Sequence, residues 1–397
     1  MSGLVSLADA TEAVLRRAQP LPAEPVPLSE VSGRVLAEPA TALVDLPPFP
    51  SSAMDGYALR AADAPGELPV VFRIAAGRPA GAALAPGTAM AIATGGVVPD
   101  GADAVVPIEH VTEADGHVTV PIRVEPGANV RPRGGDVAAG AEVVARGCVV
   151  GPAQIGAMAA AGVAEATCHR QPRVAVVTTG TELKQPGVPL GSGEIYESNG
   201  TMLAAQLRRA GAVVESVTAV ADDENAHAEA IASGLELDVL VTSGGVSVGP
   251  HDLVRRVKER LGVEEVFWGV SVKPGKPAAF GVRGATLVFG LPGNPVSSLV
   301  ACELFVKPAL LALQGAADPG PRFEAGVLEQ DVPRDARRDV LARARTALGD
   351  TGTMLSVVQG QDSHMIVRAA SADALVLVPS GVGALPAGSL ARFVRIL

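Results

Sequence analysis

The chain has 397 residues, 48% of them hydrophobic and 19% charged, as expected of a folded globular protein of two to four domains rather than a disordered or fibrous one. Its formal net charge of −10, with no basic tail and no interleaving of aromatic and basic residues, excludes an extended nucleic-acid surface, so any anionic ligand needs a local cluster of donors. No leader-like segment and no unbroken apolar run of the ~18 residues that cross a bilayer is present, so no membrane partner is expected and the expected location is the cytoplasm.

The first predicted element is a short amphipathic helix in SLADATEAVLRRA (6–18), with a Ser cap, an Asp three residues on, and Ala10, Val14, Leu15 and Ala18 on one stripe. Prolines at 20–27 end it, and VSGRVLAEPATALVDLPPFP then alternates like a strand. From 46 to 135 short apolar runs (PVVFRIAAG, GTAMAIATGG, ADAVVPIEHV, HVTVPIRV) are separated by turns, which predicts a compact β-rich unit. Its loops PPFPSSAMDGYALRAAD, ATGGVVPDGADAVVPIEH and RPRGGDV are dense in Gly, Pro and Asp. Turn-making alone accounts for that composition, which leaves Asp55, Thr94 and Asp136 as plain surface residues.

The pattern changes at 171. Apolar runs VAVVTTG, AVVESVTAV, DVLVTSGG and ATLVFG alternate with helical segments beginning at SNG (198–200), DDEN (222–225), HDL (251–253) and PVSS (295–298). This predicts a mostly parallel, doubly wound α/β unit over 171–315, with ligands bound beyond the carboxyl ends of its strands. From 316 to 397, FEAGVLEQDV, DVLARARTAL, TMLSVVQG, ALVLVP and SLARFVRIL predict a small β-barrel or sandwich. Cys148, Cys168 and Cys302 are far apart and not in metal-ligand spacing, as expected of buried thiols in a reducing compartment.

Four loops should meet at the strand ends: TTGTEL (178–183), Asp222-Asp223, TSGGVSVGPHD (242–252) and GLPGNPVSS (290–298). The third contains Gly245-Val246-Ser247-Val248-Gly249, which fits the pattern of a hydrolase nucleophile elbow. Gly249-Pro250 delays the next helix too far for the sharp strand-to-helix turn an elbow requires, and the nearest His lies in the same loop. The loop reads better as a ligand cradle. Gly180, Gly244, Gly245, Gly249 and Gly293 let backbone N–H groups approach an anion, while Ser243, Ser247 and Ser297 add hydroxyls. Lys273 and Lys276 in SVKPGKPAAF, on a proline-stiffened turn, suit a phosphate or another oxyanion. Glu182, Asp222 and Asp252 could hold Mg²⁺ beside it, and helix capping is the competing reading for both aspartates.

Taken together and in this order, PPFPSSAMDGYA, ATGGVVPDGADAVV, RPRGGDV, TTGTEL, the SNG helix, TSGGVSVGPHD, KPGKP and GLPGNPVSS resemble the molybdopterin molybdenumtransferases (MoeA and the E domain of gephyrin), from about residue 4 to the end of the chain. The resemblance implies an elongated homodimer with a discontinuous N-terminal domain (1–45 and 136–170), an inserted β-rich domain (46–135), a molybdopterin-binding α/β domain (171–315) and a C-terminal β-barrel (316–397). It implies transfer of molybdenum from molybdate to adenylylated molybdopterin with release of AMP, Mg²⁺ assistance, and transient contact with the molybdopterin adenylyltransferase. By matching motifs, Asp55, Thr94, Asp136, Glu182, Asp222, Asp252 and Lys273 fall at functionally important positions, the first three completing the site from the partner subunit. Pro292, Asn294 and Pro295 fall in the loop that shapes the site. Gly269, where relatives often carry a basic residue, and Val367-Arg368, where they carry small hydroxyl residues, depart from the pattern. A non-catalytic carrier or scaffold of the same fold is the alternative.

Overall fold

The computed structural model describes residues 4–245, 253–350 and 352–396. Helix α1 (Leu7–Arg17) begins where the sequence places it: Ser6 accepts from Asp9 N at 3.1 Å. Its Ala10 and Val14 pack into the core of the α/β unit, beside the 295–313 helix. The following stretch does not form the continuous strand that its alternation suggests. Its prolines and turns leave isolated bridges at Val35 and Leu36 and a two-residue strand at Ala40–Thr41.

The β-rich unit is a six-stranded sheet in the order Ala104–Pro107, Gly56–Leu59, Ala89–Ile92, Gly66–Ile74, His117–Val120, Thr112–Ala114. It has its own core around Tyr57, Leu59, Val106 and Val118. Helix α2 (Pro152–Ala160) packs with Val26, Val31, Leu36 and Cys168 in a separate cluster.

The α/β unit is built on β1 (Arg173–Thr179), β2 (Val213–Val220), β3 (Val239–Ser243), β4 (Glu264–Trp268), β5 (Ala279–Arg283) and β6 (Thr286–Leu291), in the order β2-β1-β3-β6-β5-β4. The first four in that order are parallel; β5 runs antiparallel to β6 and β4, so the sheet is mixed. The hairpin at Gly284, with φ of +59°, reverses the chain and places β5 beside β6. Val174 and Val176 of β1 face α3 (Asn199–Arg209), α6 (Pro295–Ala301) and α7 (Lys307–Leu313). Ala175 and Val177 face α4 (Glu224–Gly234) and α5 (Leu253–Arg260). Burial on both faces explains why β1, β3 and β6 read as apolar runs, whereas the edge strand β2 is largely exposed and carries Glu215, Ser216 and Thr218.

A π-helical stretch, Cys302–Val306, joins α6 to α7 just before Pro308. Proline lacks the N–H that a regular turn would bond to Leu304, and the wider register absorbs the gap. The joined helix, Pro295–Leu313, is long and apolar enough to cross a membrane but is mostly buried in this core. Cys168 and Cys302 are buried and burial pushes both thiols up, whereas Cys148 is half-buried rather than fully buried as expected.

In the C-terminal unit the five expected strands close into a barrel: Asp339–Gly349 pairs with both Gly352–Val357 and Ala374–Val378, and Leu390–Arg395 links the latter to Glu324–Leu328. Val272–Lys273 adds to it as a parallel strand, pairing with Asp339 and Val340, so the KPGKP turn is anchored to the barrel.

Candidate active site

Beyond β1, β2, β3 and β6 the chain forms a continuous rim of loops. Gly180 N donates to Val220 O at 3.1 Å, and Gly244 N donates to Leu291 O at 3.1 Å. Gly244 has φ of +93°, and a Cβ there would stand 2.7 Å from Thr179 Oγ1 and 2.8 Å from Thr179 O. A Cβ on Gly293 would come within 3.6 Å of Gly244 Cα, so the two glycine loops pass in contact. At Gly244 only glycine combines so close an approach to Thr179 with the left-handed backbone.

Asn199, the first residue of α3, ties these loops together. Its Nδ2 donates to Ser243 Oγ at 3.0 Å and to Gly293 O at 2.7 Å. Ser243 Oγ also lies 3.1 Å from Pro292 O and 3.0 Å from Ser298 Oγ, and Ser298 Oγ donates to Pro292 O. Ser243 is therefore buried and engaged in holding the loop. Ser297 is buried too, in the first turn of α6, where Pro295 occupies the position that needs no N–H. Asn294 Nδ2 donates to Ser363 Oγ at 2.9 Å and Val296 N donates to Ser363 O at 3.1 Å, which brings the loop before Val367-Arg368 to the rim. Asn199 and Ser363 escape a sequence reading because their roles depend on tertiary register, although the SNG motif marked the first. Ser298, expected in the first turn of the helix after GLPGNP, is buried in the loop's hydrogen bonding rather than open to a ligand.

The two aspartates after β2 divide their roles. Asp223 caps α4, accepting from Ala226 N at 2.9 Å, which leaves Asp222 exposed and accepting from Thr181 Oγ1 at 3.0 Å. The Glu182 carboxylate folds over Gly180, where a Cβ would meet both its oxygens at 2.8 Å. Glu182 and Asp222 are thus two exposed carboxylates on adjoining loops, hard oxygen donors of the kind a divalent cation takes. Among the described residues no group of three or more His, Cys, Asp or Glu is arranged around a common metal position. Ser247, Gly249 and Asp252 lie outside the described residues, and Gly245 is the last described residue of its loop.

Lys273 and Lys276 are exposed on a turn whose Gly275 has φ of +117°. Lys273 Nζ lies 3.8 Å from Asp335 Oδ2, a distance and exposure at which an ion pair contributes little. Asp335 belongs mainly to Arg338, whose guanidinium donates to it at 2.8 Å, and with the backbone N–H groups of Arg337 and Arg338 holds its carboxyl at about 2. Gly269 has φ of +91°, and a Cβ there would stand 2.8 Å from Leu4 Cδ2.

In the β-rich unit, Asp55 accepts from Thr94 N at 2.6 Å and Thr94 Oγ1 at 2.8 Å, and these bonds, the backbone one first, hold its carboxyl below the ordinary range. Asp136 is exposed, with its backbone N–H on Leu46 O at 2.9 Å, in a loop whose Arg133 binds Asp45 at 2.6 Å. Among the described residues no hydrogen bond or ion pair joins Asp136 to the Asp55–Thr94 pair, or any of the three to the α/β rim.

Comparison with known proteins gives three adjoining matches: "MoeA N-terminal region (domain I and II)" over residues 5–162, "Probable molybdopterin binding domain" over 175–312, and "MoeA C-terminal region (domain IV)" over 325–395. The chain is 40% identical over 385 residues to a protein of Mycobacterium tuberculosis named molybdopterin molybdenumtransferase 2, covering 92% of this chain and 93% of the relative. It is 34% identical over 376 residues to the molybdopterin molybdenumtransferase of Haemophilus influenzae, covering 93% of each. Among solved structures, the molybdopterin biosynthesis moeA protein of Pyrococcus horikoshii OT3 superposes with a TM-score of 0.85 at 27% identity, covering 99% of this chain and 100% of that one.

Proposed function

Because this chain belongs to the MoeA family and is a molybdopterin molybdenumtransferase of molybdenum cofactor biosynthesis, we propose that it transfers molybdenum from molybdate to adenylylated molybdopterin, releasing AMP, at the rim beyond β1, β2, β3 and β6. The observation that carries the placement is the pair of glycine loops held in contact by Asn199, with the exposed carboxylates Glu182 and Asp222 on the adjoining loops. Such loops present backbone N–H groups to phosphate oxygens without a bulky side chain in the way. Lys273 and Lys276, exposed and weakly committed, supply mobile positive charge for an anion such as molybdate, which is a substrate here.

Displacing AMP from a phosphoanhydride while an oxyanion approaches needs positioning and charge neutralisation more than a protein nucleophile. Ser243 fits that view, since its hydroxyl is engaged within the fold. Glu182 and Asp222 are the residues that would hold Mg²⁺, with Asp252 as the third expected carboxylate. Bound there, the ion would offset charge on the phosphate oxygens. Asp55, Thr94 and Asp136 belong to the same site when contributed by the partner subunit of a homodimer, which is consistent with their having no bond to the rim within one chain. Transient contact with the molybdopterin adenylyltransferase would serve substrate delivery.

Anaerobic incubation with adenylylated molybdopterin, Mg²⁺ and molybdate should release AMP in a molybdate-dependent manner, and Glu182→Ala should slow it by roughly 10²-fold. AMP release that ignores molybdate, or that survives Glu182→Ala unchanged, contradicts the reading.

A further inference from the structure

A half-open groove of about 270 Å³ lies on the α3 face of the sheet, beside the exposed edge strand β2 and next to the loop that carries Glu182. Its walls include Val217 and Ala219 of β2, Ala204 and Arg208 of α3, and two polar residues buried more than nine-tenths: Thr178 at 2% exposure and Glu197 at 5%. Thr178 is the penultimate residue of β1, two before Gly180, and Glu197 stands two before Asn199.

Glu197 is held in place by its own surroundings. Its backbone N–H donates to Lys184 O at 2.8 Å and its Oε1 accepts from Gly200 N at 2.7 Å. Its Oε2 has no partner among the described residues, and Arg208, though it lines the groove, forms no ion pair with it. The buried hydroxyl of Thr178 is likewise unpartnered. A buried hydroxyl without a partner carries a desolvation cost that a ligand's polar group would relieve, and the free Oε2 beside it offers a carboxylate acceptor to the same ligand.

We propose that this groove receives the pterin ring of the substrate, and that Glu197, assisted by Thr178, recognises its 2-amino-4-oxopyrimidine edge. The inference rests on the molybdopterin reading above. The ring N–H and the adjacent exocyclic amino group of a pterin point in parallel from one edge, and a carboxylate accepts both in a fork, as it does from arginine. Adenine offers a donor beside an acceptor at the corresponding edge and does not match, so the AMP half of the substrate belongs elsewhere. Size agrees: pockets for whole drug-sized ligands run from about 300 to 1,000 Å³, so 270 Å³ suits a single bicyclic ring between Val217, Ala219 and Ala204 rather than the whole nucleotide-linked molecule. Gly200 keeps that space open, since a Cβ there would come 3.0 Å from Glu197 Oε2 and 2.8 Å from Val217 Cγ1.

The test compares binding of pterin-6-carboxylate with that of lumazine-6-carboxylate, in which the 2-amino group is replaced by oxygen. Wild-type protein should prefer the pterin by roughly tenfold or more, the scale of one hydrogen bond to a charged group. Glu197→Gln should erase that preference while leaving AMP affinity unchanged. Thr178→Val, which removes only an unpartnered hydroxyl, should keep thermal stability and weaken pterin binding several-fold, and it serves if Glu197→Gln does not fold. Persistence of the preference in folded Glu197→Gln, pterin affinity unchanged in Thr178→Val, or binding of neither ring by the wild type overturns the proposal. Those results alongside normal molybdate-dependent AMP release sink the pocket assignment alone; loss of AMP release in the wild type sinks the functional reading itself.

Discussion

Asp222 and Asp223 are neighbours of identical chemistry, and only one of them is committed to the helix that follows. With Asp223 capping α4, Asp222 stays exposed at the rim, held only by the Thr181 hydroxyl. Asp223→Ala should therefore lower stability by about 1 kcal/mol in a denaturant titration, the usual cost of a lost N-cap, with a small effect on AMP release, and Asp222→Ala should do the reverse. Asn199 has two partners on two loops, one of them the buried Ser243 hydroxyl. Asn199→Ala should cost about 1–3 kcal/mol and weaken AMP binding, because the loop groups it satisfies lose their donor. Asp335 illustrates a pH dependence with a definite sign. Its folded carboxyl is depressed from 3.8 to about 2, so its contribution is complete above 3.8 and is lost as pH falls through about 2. A carboxyl-resolved NMR titration should find that low midpoint, and Arg338→Ala should move it upward, since Arg338 is the largest cause.

At the scale of elements, the loops beyond β1, β3 and β6 were legible because those strands are buried on both faces and read as apolar runs leading into glycine-containing turns. The caps of α1 and α6 were equally plain, being set by local chemistry at Ser6 and Pro295. What the sequence could not convey depends on pairing between distant segments. The reversal of β5 and the docking of Val272–Lys273 onto the C-terminal barrel, itself expected, are examples. The alternation in VSGRVLAEPATALV misled for the opposite reason: the stretch makes isolated bridges and turns rather than a ladder, and Val35, Leu36 and Ala37 are buried in succession. The Gly244 position provides a test of the loop. Gly244→Ala would strain a backbone at φ of +93° and press a methyl against Thr179, so it should lower the melting temperature and abolish AMP binding together. A basic residue at Gly269 would meet Leu4 at a left-handed backbone, so Gly269→Lys should destabilise this chain.

At the scale of the whole molecule, the residues expected to cooperate fall into two groups, one on the α/β rim and one on the β-rich unit, with no bond between them among the described residues. The proposed site, completed by a second copy, would bring both groups into one reaction. Asp55→Ala and Glu182→Ala should each inactivate the protein on its own. Mixed and allowed to exchange subunits, the two variants form heterodimers in which one site carries both lesions and the other carries neither. With random pairing in a symmetric dimer, AMP release should recover to about a quarter of the wild-type rate. A mixture no more active than its parents would contradict a site shared between subunits, and with it the assignment of Asp55 and Glu182 to one reaction.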